Sequence, residues 1–471
     1  MTTERIERQA PRAARLDDPD RRRAHRRRLR RTDLLAILCW TSVAAAIALL
    51  LASGGVRDLS SPGAMVTALG IVAGLVGTDL ILIMLVLAAR IPFIDRTVGQ
   101  DVAMALHRRL GKPALYLLLG HGVLLIVGYA ITDGSSVIAE TVSLMSGGDL
   151  LLALLGTVLL VLVVVTSVVA VRRRFPYEAW HAIHLLSYVA VLVAVPHQLS
   201  TGQVLAEGGF ERGYWIALYV LAFGSIAWFR FLVPLVRTLR HRIRVVAVEP
   251  IAPGVSSIHL RGRDLRRLGA HGGQYAIWRF WSAGTWWHAH PISFSAVPSD
   301  EGARITVREL GAGTGRLARL QPGTPVSIEG PYGIFTSFAR TAPRLAIITA
   351  GIGITPARAL LEHSDVAPGE ATVLLRGTDH SQAYLWDEME TLAHRNGSRL
   401  YTMLGRRPNG IDTWMSAESI SRGVTIESVF PQLLESDLYV CGPSVWTDLV
   451  VRDARAAGLP EQQIHVERFD W

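Results

Sequence analysis

Four histidines lie in or beside apolar segments of the chain at spacings that suit metal binding. His107 and His121 are 14 residues apart, and His184 and His197 are 13 residues apart. Ionisable side chains at membrane depth are costly and usually mark function. Fourteen residues of helix rise about 21 Å and return the second ring to within about 40° of the first. Two such helices side by side predict two histidine pairs at two levels: His107 with His184, and His121 with His197.

Paired imidazoles at two levels can serve as the axial ligands of two six-coordinate haems, b-type by this interpretation. On an ideal helix, 13 residues leave about 220° of rotation between His184 and His197. We therefore expect Pro196 to rewind that turn, and Pro113 to bend the other helix. Hydrogen-bonded packing is the alternative role for such histidines, and it is the role we assign to His181.

The cysteines exclude several other kinds of metal chemistry. Only Cys39 and Cys441 are present, and they lie far apart in the chain. No disulfide framework, zinc ribbon or iron–sulfur cluster can be built from two such residues. Any metal held by the protein is therefore expected on histidine or carboxylate ligands.

Membrane spans are the elements that must position these histidines. Hydrophobic residues make up 50% of the 471 residues and charged residues 18%, below the roughly 25% of soluble domains. Six apolar stretches approach the length of about 20 residues that a spanning helix needs: Asp33–Ser53, Ala64–Ala89, Pro113–Ile131, Leu150–Val171, Trp180–Ser200 and Tyr214–Val236. Basic residues are concentrated in alternate connections, which predicts a multi-pass protein of the plasma or inner membrane. Its N terminus and everything after the sixth span would be cytoplasmic.

A basic arm precedes the first span. Residues 1–31 contain twelve arginines and carry a net charge of +7. Such an arm can bind nucleic acid, but this one leads directly into an apolar segment. That position favours contact with the anionic lipids of the inner leaflet. We therefore expect a lipid partner for the arm and no nucleic acid.

The hydrophobic pattern changes after the sixth span. Short alternating segments separated by Gly and Pro, between residues 244 and 329, predict an antiparallel β-barrel. From residue 343 onward, apolar strands alternate with helices, which is typical of a parallel sheet. The fold class is thus multi-domain: a basic cytoplasmic arm (1–32), a six-helix transmembrane bundle (33–237), a β-barrel domain (238–340) and an α/β domain (341–471).

A candidate phosphate-binding loop follows the first strand of the α/β domain. The strand runs into Gly351 and Gly353, with Thr355 expected as the helix N-cap and Pro356 at the first helical position. Glycines let the backbone approach a pyrophosphate, and the helix N terminus offers free N–H groups. We expect the pyrophosphate of a cofactor here, and the family resemblance described below implies a nicotinamide dinucleotide. Arg376 ends the next strand, where arginine favours the 2′-phosphate of NADPH over NADH; a solvated surface arginine is the alternative.

The segment His290-Pro291-Ile292-Ser293 follows a tryptophan-rich stretch in the barrel. Placed between the six spans and the glycine loop, it resembles a known fusion: a ferric reductase-like transmembrane domain joined to a ferredoxin–NADP reductase-type FAD/NAD(P) module, in its bacterial form. The superfamily includes ferric reductases and NADPH oxidases. The resemblance implies FAD, with Ser293 as a catalytic residue hydrogen-bonded to flavin N5. His290 and Pro291 would lie beside the ring or the phosphates, and Ile292 replaces an aromatic residue expected against the ring.

The resemblance also assigns residues farther along the chain. The flavin diphosphate would lie on a glycine-rich turn made of Gly313, Thr314, Gly315 and Arg316. Cys441 and Gly442 would lie near the nicotinamide, where the small thiol acts as a second catalytic residue by helping to set the hydride geometry. Trp471 is part of an acidic-aromatic terminus that the family places beside the flavin.

The resemblance implies a transmembrane flavocytochrome. Electrons would pass from cytosolic NADPH or NADH through FAD and two haems to an extracytoplasmic acceptor. Oxygen-reducing members carry a second histidine one turn beyond the outer ligand, where this chain has Leu125. We therefore expect ferric chelates or other metals as the acceptor, with oxygen reduction to superoxide, as in NADPH oxidases, as the alternative. Delivery to a quinone or partner protein is an alternative, and a redox-silent membrane scaffold is the least supported one.

Overall fold

The computed structural model describes residues 19–52, 59–172, 174–175, 177–200 and 209–468. Most of the basic arm and Trp471 lie outside these residues. The chain forms two compact units. We call residues 31–231 the spanning unit, and residues 232–471 together with 1–30 the sheet unit. The four domain ranges given above stay predictions.

Six helical segments among the described residues are long and apolar enough to cross a membrane, as predicted. The third span begins at Gln100 rather than at the predicted Pro113, because the helix continues through the proline and includes His107. The helices in chain order are α1 (Pro19–Ala52), α2 (Pro62–Ala88), α3 (Pro92–Val98), α4 (Gln100–Asp133), α5 (Val137–Met145), α6 (Gly148–Ser167), α7 (Val169–Arg172), α8 (Tyr177–Val193), α9 (Val195–Ser200), α10 (Phe210–Ile226), a π-helical segment (Ala227–Leu232) and α11 (Val233–His241).

Helices α2 and α4 pack closely because α2 presents glycines to α4. A Cβ atom at Gly70 would lie 3.1 Å from the Leu124 side chain, and one at Gly74 would lie 2.5 Å from the His121 ring. Small residues let membrane helices approach until their backbones nearly touch. The backbone carbonyls of α2 are therefore within reach of histidines on α4.

The fifth span is built from two helices. Helix α8 ends at Val193 and α9 begins at Val195, with Pro196 in its first turn. Proline has no N–H group and cannot continue a helix without the loss of a hydrogen bond. The chain therefore rewinds between His184 and His197, as expected.

The first sheet of the sheet unit is an antiparallel barrel. Its strands are β1 (Arg244–Ala252), β2 (Val255–Arg261), β3 (Tyr275–Phe280), β4 (His290–Ala296), β5 (Ala303–Arg308) and β6 (Val326–Tyr332), in the order β1-β2-β5-β4-β3-β6. A bridge between Arg244 and Pro325 joins the two edges. Trp278, Phe280 and Phe294 are fully buried in its interior. One short helix, α12 (Ala312–Leu317), follows β5.

The second sheet is parallel throughout. Its strands are β7 (Arg344–Ala350), β8 (Ala371–Arg376), β9 (Arg399–Met403), β10 (Ser436–Gly442) and β11 (Ile464–Arg468), in the order β11-β10-β7-β8-β9. The accompanying helices are α13 (Ile354–His363), α14 (Trp386–Arg395), α15 (Ala417–Ser421), α16 (Ile426–Val429) and α17 (Ser444–Ala456). Strands β7, β8 and β10 are buried along almost their whole length, as expected for a parallel sheet covered on both faces.

An ion-pair network joins the barrel to the parallel-sheet domain. Arg304 in β5 donates to both carboxylate oxygens of Glu388 in α14, at 2.8 and 2.7 Å. Arg358 in α13 donates to Glu388 and Glu362, each at 2.7 Å, and to the Ser295 carbonyl at 3.1 Å. Burial raises the pKa of Glu388, but the bonds and charges of the two arginines outweigh burial and lower that pKa overall. The network fixes α13 against the strand that carries the predicted flavin motif.

Candidate functional site

The structure brings His107 and His184 together. Their ring centres are 6.1 Å apart, with 59° between the ring planes. The Nδ1 atom of His107 lies 3.1 Å from the Met84 carbonyl oxygen, and that of His184 lies 3.3 Å from Ser167 Oγ. Trp180 stacks on the His184 ring with 5.1 Å between centres. The predicted inner pair therefore has both rings held by neighbouring helices.

Of the predicted outer pair, His121 is held in the same way as His107. Its Nδ1 atom lies 2.8 Å from the Gly70 carbonyl oxygen, on the face of α2 that the glycines open. His197 lies in α9, after the break that ends α8 at Val193. The pairing of His197 with His121 stays a prediction.

The geometry of the inner pair fits haem. A metal bound about 2 Å from each of two imidazole nitrogens places the ring centres roughly 6 Å apart. An imidazole whose Nδ1–H is bonded to a carbonyl presents Nε2 as the ligand atom. Haem supplies four nitrogens of its own, so two histidines suffice. No group of three or more His, Cys, Asp or Glu able to hold a bare metal ion is found in the described part of the chain.

The predicted flavin motif lies on β4 and presents two polar atoms without partners. Ser293 Oγ and His290 Nε2 are both buried, and among the described residues neither has a hydrogen-bond partner. Unpaired buried polar groups are costly and call for a ligand or water. Burial, with a smaller contribution from neighbouring His288, lowers the pKa of His290 to about 4. His290 is therefore neutral at physiological pH and can donate or accept a hydrogen bond.

The predicted diphosphate turn lies beside the flavin motif. A Cβ atom at Gly313 would lie 3.7 Å from His290 Cε1, so the turn and β4 meet. Thr314 Oγ1 accepts a bond from the Leu310 N–H at 2.8 Å, and Arg316 donates to the Gly284 carbonyl at 2.8 Å. Both side chains thus shape the turn, and the Gly315 N–H is already bonded to the Gly311 carbonyl oxygen at 2.9 Å.

Ile292 has a different role from the family's aromatic residue. Its side chain packs against the hydrophobic core of the barrel, and its carbonyl oxygen accepts a bond from Trp278 Nε1 at 2.9 Å. The adjacent Pro291 pairs with Ile277 of β3 and is only partly buried. The Ile292 side chain is therefore part of the barrel core.

The nicotinamide loop runs from β7 into α13. Gly351 has φ +56°, a conformation that side chains rarely adopt, and a Cβ atom at Gly353 would lie 2.3 Å from the Cys441 carbonyl oxygen. The expected cap differs: Gly353 is the N-cap and Thr355 is helical, with its hydroxyl donating to the Ile352 carbonyl at 3.0 Å. Pro356 is accordingly the third helical residue, because one 3₁₀ turn at Gly351–Gly353 leads directly into the helix.

Cys441 and Gly442 end β10 directly against that loop. The Cys441 side chain is fully buried, and Gly442 has no space for a side chain because Trp446 lies 2.7 Å from its Cβ position. Burial, and then the charge of Glu467, raise the pKa of the Cys441 thiol well above its usual value. The thiol is therefore neutral, as a packing or positioning role requires, and is unsuited to act as a nucleophile.

Arg376 is buried at the end of β8 and bonds to the backbone. Its guanidinium donates to the carbonyl oxygens of Trp414 and Met403, both at 3.3 Å, and to that of Gly405. Burial lowers its pKa. In this arrangement it braces the loops after β8 and β9, and the alternative of a solvated surface arginine is wrong because the side chain is buried. Exposed Arg406 lies at the same edge of the sheet. The choice of NADPH over NADH stays a prediction.

Three further residues at the carboxyl edge of the parallel sheet are candidate binding residues that the sequence patterns above do not indicate. Thr349 Oγ1, Tyr384 OH and Thr447 Oγ1 are buried without a hydrogen-bond partner among the described residues. Tyr384 OH lies 3.6 Å from the Cβ position of Gly351. Thr349 could have been found from its place before the glycine loop. Tyr384 and Thr447 carry no such sequence signal. The predicted Trp471 lies outside the described residues.

The six spans and the two sheets describe a multi-pass membrane protein with a ferredoxin–NADP reductase-type module, and its relatives place it among oxidoreductases. Residues 73–195 match the family described as "Ferric reductase like transmembrane component". That range includes three of the paired histidines and ends just before His197. The rest of the predicted fusion is confirmed by relatives of the sheet unit.

Several characterised proteins are similar to the chain. It is 25% identical over 331 residues to a flavohemoprotein of Xylella fastidiosa, covering 64% of this chain and 78% of that protein. It is 28% identical over 242 residues to ferredoxin–NADP reductase B of Sorangium cellulosum, covering 48% of this chain and 96% of that one. Among solved structures, the FAD/NAD-binding domain of nitric oxide dioxygenase from Vibrio cholerae matches with a TM-score of 0.40 at 20% identity, over 49% of this chain and 99% of that one.

Proposed function

We propose that this protein passes electrons from cytosolic NAD(P)H, through FAD and two bis-histidine haems, to an acceptor on the opposite face of the membrane. The observation that carries the proposal is the arrangement of the four histidines. The His107 and His184 rings lie 6.1 Å apart, and the Nδ1 atoms of His107 and His121 both face carbonyl oxygens of α2. The second pair, His121 with His197, is part of the proposal. A packing role needs no such repetition at two levels.

The residues of the sheet unit would hold the two organic cofactors. Ser293 Oγ and His290 Nε2 are available to hydrogen-bond the flavin, and the backbone of the turn 313–316 to bind its diphosphate. The loop at Gly351 and Gly353 would bind the dinucleotide pyrophosphate at the start of α13. Flavin accepts a hydride and releases single electrons, which is the chemistry that links a nicotinamide to haem. Buried Cys441 would limit how the nicotinamide packs.

The direction of transfer follows from the proposed orientation. Arg23, Arg26 and Arg27 of α1 are exposed, and basic residues are concentrated in the connections proposed to be cytoplasmic. The arm and the sheet unit would therefore face the cytoplasm, with the arm on anionic lipid. Moving one electron outward across an inside-negative membrane is favourable by about 2.3 kcal/mol per 100 mV.

We propose ferric chelates or other oxidised metals as the acceptor. Leu125, at the position where oxygen-reducing relatives of this type have a second histidine, packs its side chain against Gly70 of α2, 3.1 Å from the Cβ position. The outer level therefore lacks a polar group at that position to orient oxygen. Electron delivery to oxygen would use the same cofactors and produce superoxide. The two possible reactions therefore differ only in the acceptor that takes the electron from the outer haem.

The acceptor is tested with the full chain in sealed vesicles whose sheet unit faces outward, supplied with external NADPH. A ferric chelate that cannot cross lipid is enclosed in the vesicles, and superoxide is measured in parallel. We expect reduction of the enclosed iron, and a loss of that reduction in His197→Ala. Matched Asp133→Asn vesicles serve as the control, because Asp133 is exposed at the end of α4. Superoxide in place of ferrous iron would contradict the metal-reductase assignment.

A further inference from the structure

A carboxyl group lies inside the spanning unit, away from the four histidines. Asp79 of α2 is only 1% exposed. Ser42 of α1 donates a hydrogen bond to its Oδ1 atom at 2.7 Å. Its Oδ2 atom is buried without a hydrogen-bond partner, and no basic side chain pairs with it within the described residues. A charged carboxylate in such surroundings is costly, so the group needs a proton or a compensating charge.

Ser42 links Asp79 to Tyr214 of α10. The Tyr214 hydroxyl lies 3.3 Å from Ser42 Oγ and donates to the Ser42 carbonyl oxygen at 3.3 Å, and Ser42 Oγ donates to Asp79. Hydroxyl groups both donate and accept, so rotation of the Tyr214 hydroxyl towards Ser42 Oγ would complete a proton relay. Cys39 of α1 is a further titratable group that acts on Asp79. The neighbouring hydrophobic cluster includes Leu82, Leu85 and Trp215, and Trp215 Nε1 is buried without a hydrogen-bond partner among the described residues.

Helix α2 also sets the distance from Asp79 to both histidine pairs. The residue comes nine positions after Gly70, which bonds His121, and five before Met84, which bonds His107. The rise along the helix is about 14 Å and about 8 Å, with rotations of roughly 180° and 140°. Asp79 is therefore at a depth between the two pairs, on the far side of the helix that supports them. Unit charges about 12 Å apart, at an effective dielectric constant near 20, change each other's binding equilibria roughly tenfold.

We propose that Asp79 is a redox-linked proton-binding site. The inference rests on the proposed function, because it requires haem at the histidine pairs. Positive charge at the oxidised haem level stabilises the Asp79 carboxylate. If an electron from reduced flavin reached haem held by the histidine pairs, the carboxylate would take up one proton, supplied ultimately by water, and form an O–H bond at Oδ2, while Oδ1 continues to accept the bond from Ser42. When the electron leaves for the acceptor, that bond breaks and the proton returns to water. One positive charge thus accompanies each electron into the spanning unit.

The test compares full-length protein with Asp79→Asn in lipid nanodiscs. Haem midpoint potentials are measured between pH 5 and pH 9 by optical titration, and infrared difference spectra are recorded on reduction. We expect the wild-type potential to fall as pH rises and a carboxylic acid C=O band to appear on reduction. The Asp79→Asn protein loses the band and most of the slope, whereas exposed Asp133→Asn retains both. If Asp79→Asn does not assemble, Ser42→Ala, which removes the donor to Oδ1, serves instead and shifts the frequency of the band.

The outcomes separate the two proposals. Haem with a pH-independent potential, or a slope and band unchanged in Asp79→Asn and Ser42→Ala, contradicts the proton site and leaves the electron pathway standing. Protein that binds no haem contradicts the proposed function, and the proton site with it. A slope that disappears in Asp133→Asn as well as in Asp79→Asn would also overturn the assignment, because it would reflect general surface charge.

Discussion

The two units of the chain differ in the hydrogen bonding of the side chains that are predicted to bind cofactors. In the spanning unit, the Nδ1 atoms of His107, His121 and His184 already face oxygen atoms at 2.8 to 3.3 Å. In the sheet unit, the polar atoms of Ser293 and His290 are buried and have no hydrogen-bond partner among the described residues. The histidine side chains thus have hydrogen-bond partners within the protein, whereas Ser293 and His290 would find theirs on a bound cofactor.

The difference follows from the ligand chemistry. An axial ligand must present one lone pair in one direction, so its ring is fixed beforehand by a second hydrogen bond. Flavin and nicotinamide bring their own donors and acceptors, so a site that binds them leaves complementary atoms unpaired. This predicts that substitutions near the histidines affect haem content, whereas substitutions in the sheet unit affect rates and affinity.

The largest effect is expected from His184→Ala. It removes one ligand of the inner pair, so we expect haem content to fall from about two to about one per chain, with loss of haem reduction by NADPH. Haem is quantified by its absorbance after extraction. The control is His181→Ala, whose ring lies beside Trp180 and which should retain both haems. Equal losses in the two variants would break the assigned pairing.

Gly74→Ala tests whether close helix packing supports the outer pair. The new Cβ atom would lie 2.5 Å from the His121 ring, so the ring must move and its bond to Gly70 must weaken. We expect selective loss of the outer haem, seen as the disappearance of one of two midpoint potentials. Gly120→Ala on α4, where a Cβ atom meets nothing within 4 Å, should leave both potentials unchanged.

Ser293→Ala tests whether the unpaired hydroxyl of the sheet unit serves to bind flavin. Without the hydroxyl, flavin N5 loses its predicted partner, and we expect stopped-flow flavin reduction to slow roughly 10²-fold. Because the hydroxyl is unpaired in the free protein, its removal should leave stability unchanged or raise it by about 1 kcal/mol. Exposed Ser421→Ala serves as the control for both readings. A slower rate with clear destabilisation would show that Ser293 is structural.

A further prediction concerns the pH dependence of stability that His290 confers. Its pKa is near 4 in the folded protein and near 6.5 when unfolded, so the unfolded chain binds the proton more tightly. Stability is fully present above pH 6.5 and declines as pH falls towards 4, by up to about 3 kcal/mol. Thermal midpoints of flavin-free protein should fall accordingly, and less so in His290→Gln. Parallel curves for the two proteins would contradict a buried neutral histidine.

The sequence predicts the elements better than their local geometry. Six spans, an antiparallel barrel and a parallel sheet follow from hydrophobic periodicity, which depends on burial alone. The pairing of His184 with His107 could be expected because helical spacing sets depth. The N-cap at Gly353 could not be expected from the sequence, because a 3₁₀ turn before α13 replaces the side-chain cap expected from Thr355. Arg376 was assigned from its place at a strand end, but its partners come from loops after β8 and β9, which periodicity does not reveal.

Asp79 illustrates the same limit within the membrane. Its residue type marks it as unusual in an apolar span, yet only the packing of α1, α2 and α10 shows that Ser42 bonds one oxygen and that the other is unpaired. Tertiary contacts, not sequence periodicity, distinguish a relay from a surface carboxylate.

The most direct test of the electron pathway is the anaerobic visible spectrum of the detergent-purified full chain, supplied with FAD, before and after addition of NADPH. The proposed pathway predicts a Soret band from about two haems per chain, which shifts and sharpens when NADPH is added. Purified protein without a Soret band would contradict the haem assignment of the four histidines. Haem that NADPH fails to reduce would contradict transfer from the flavin to the membrane.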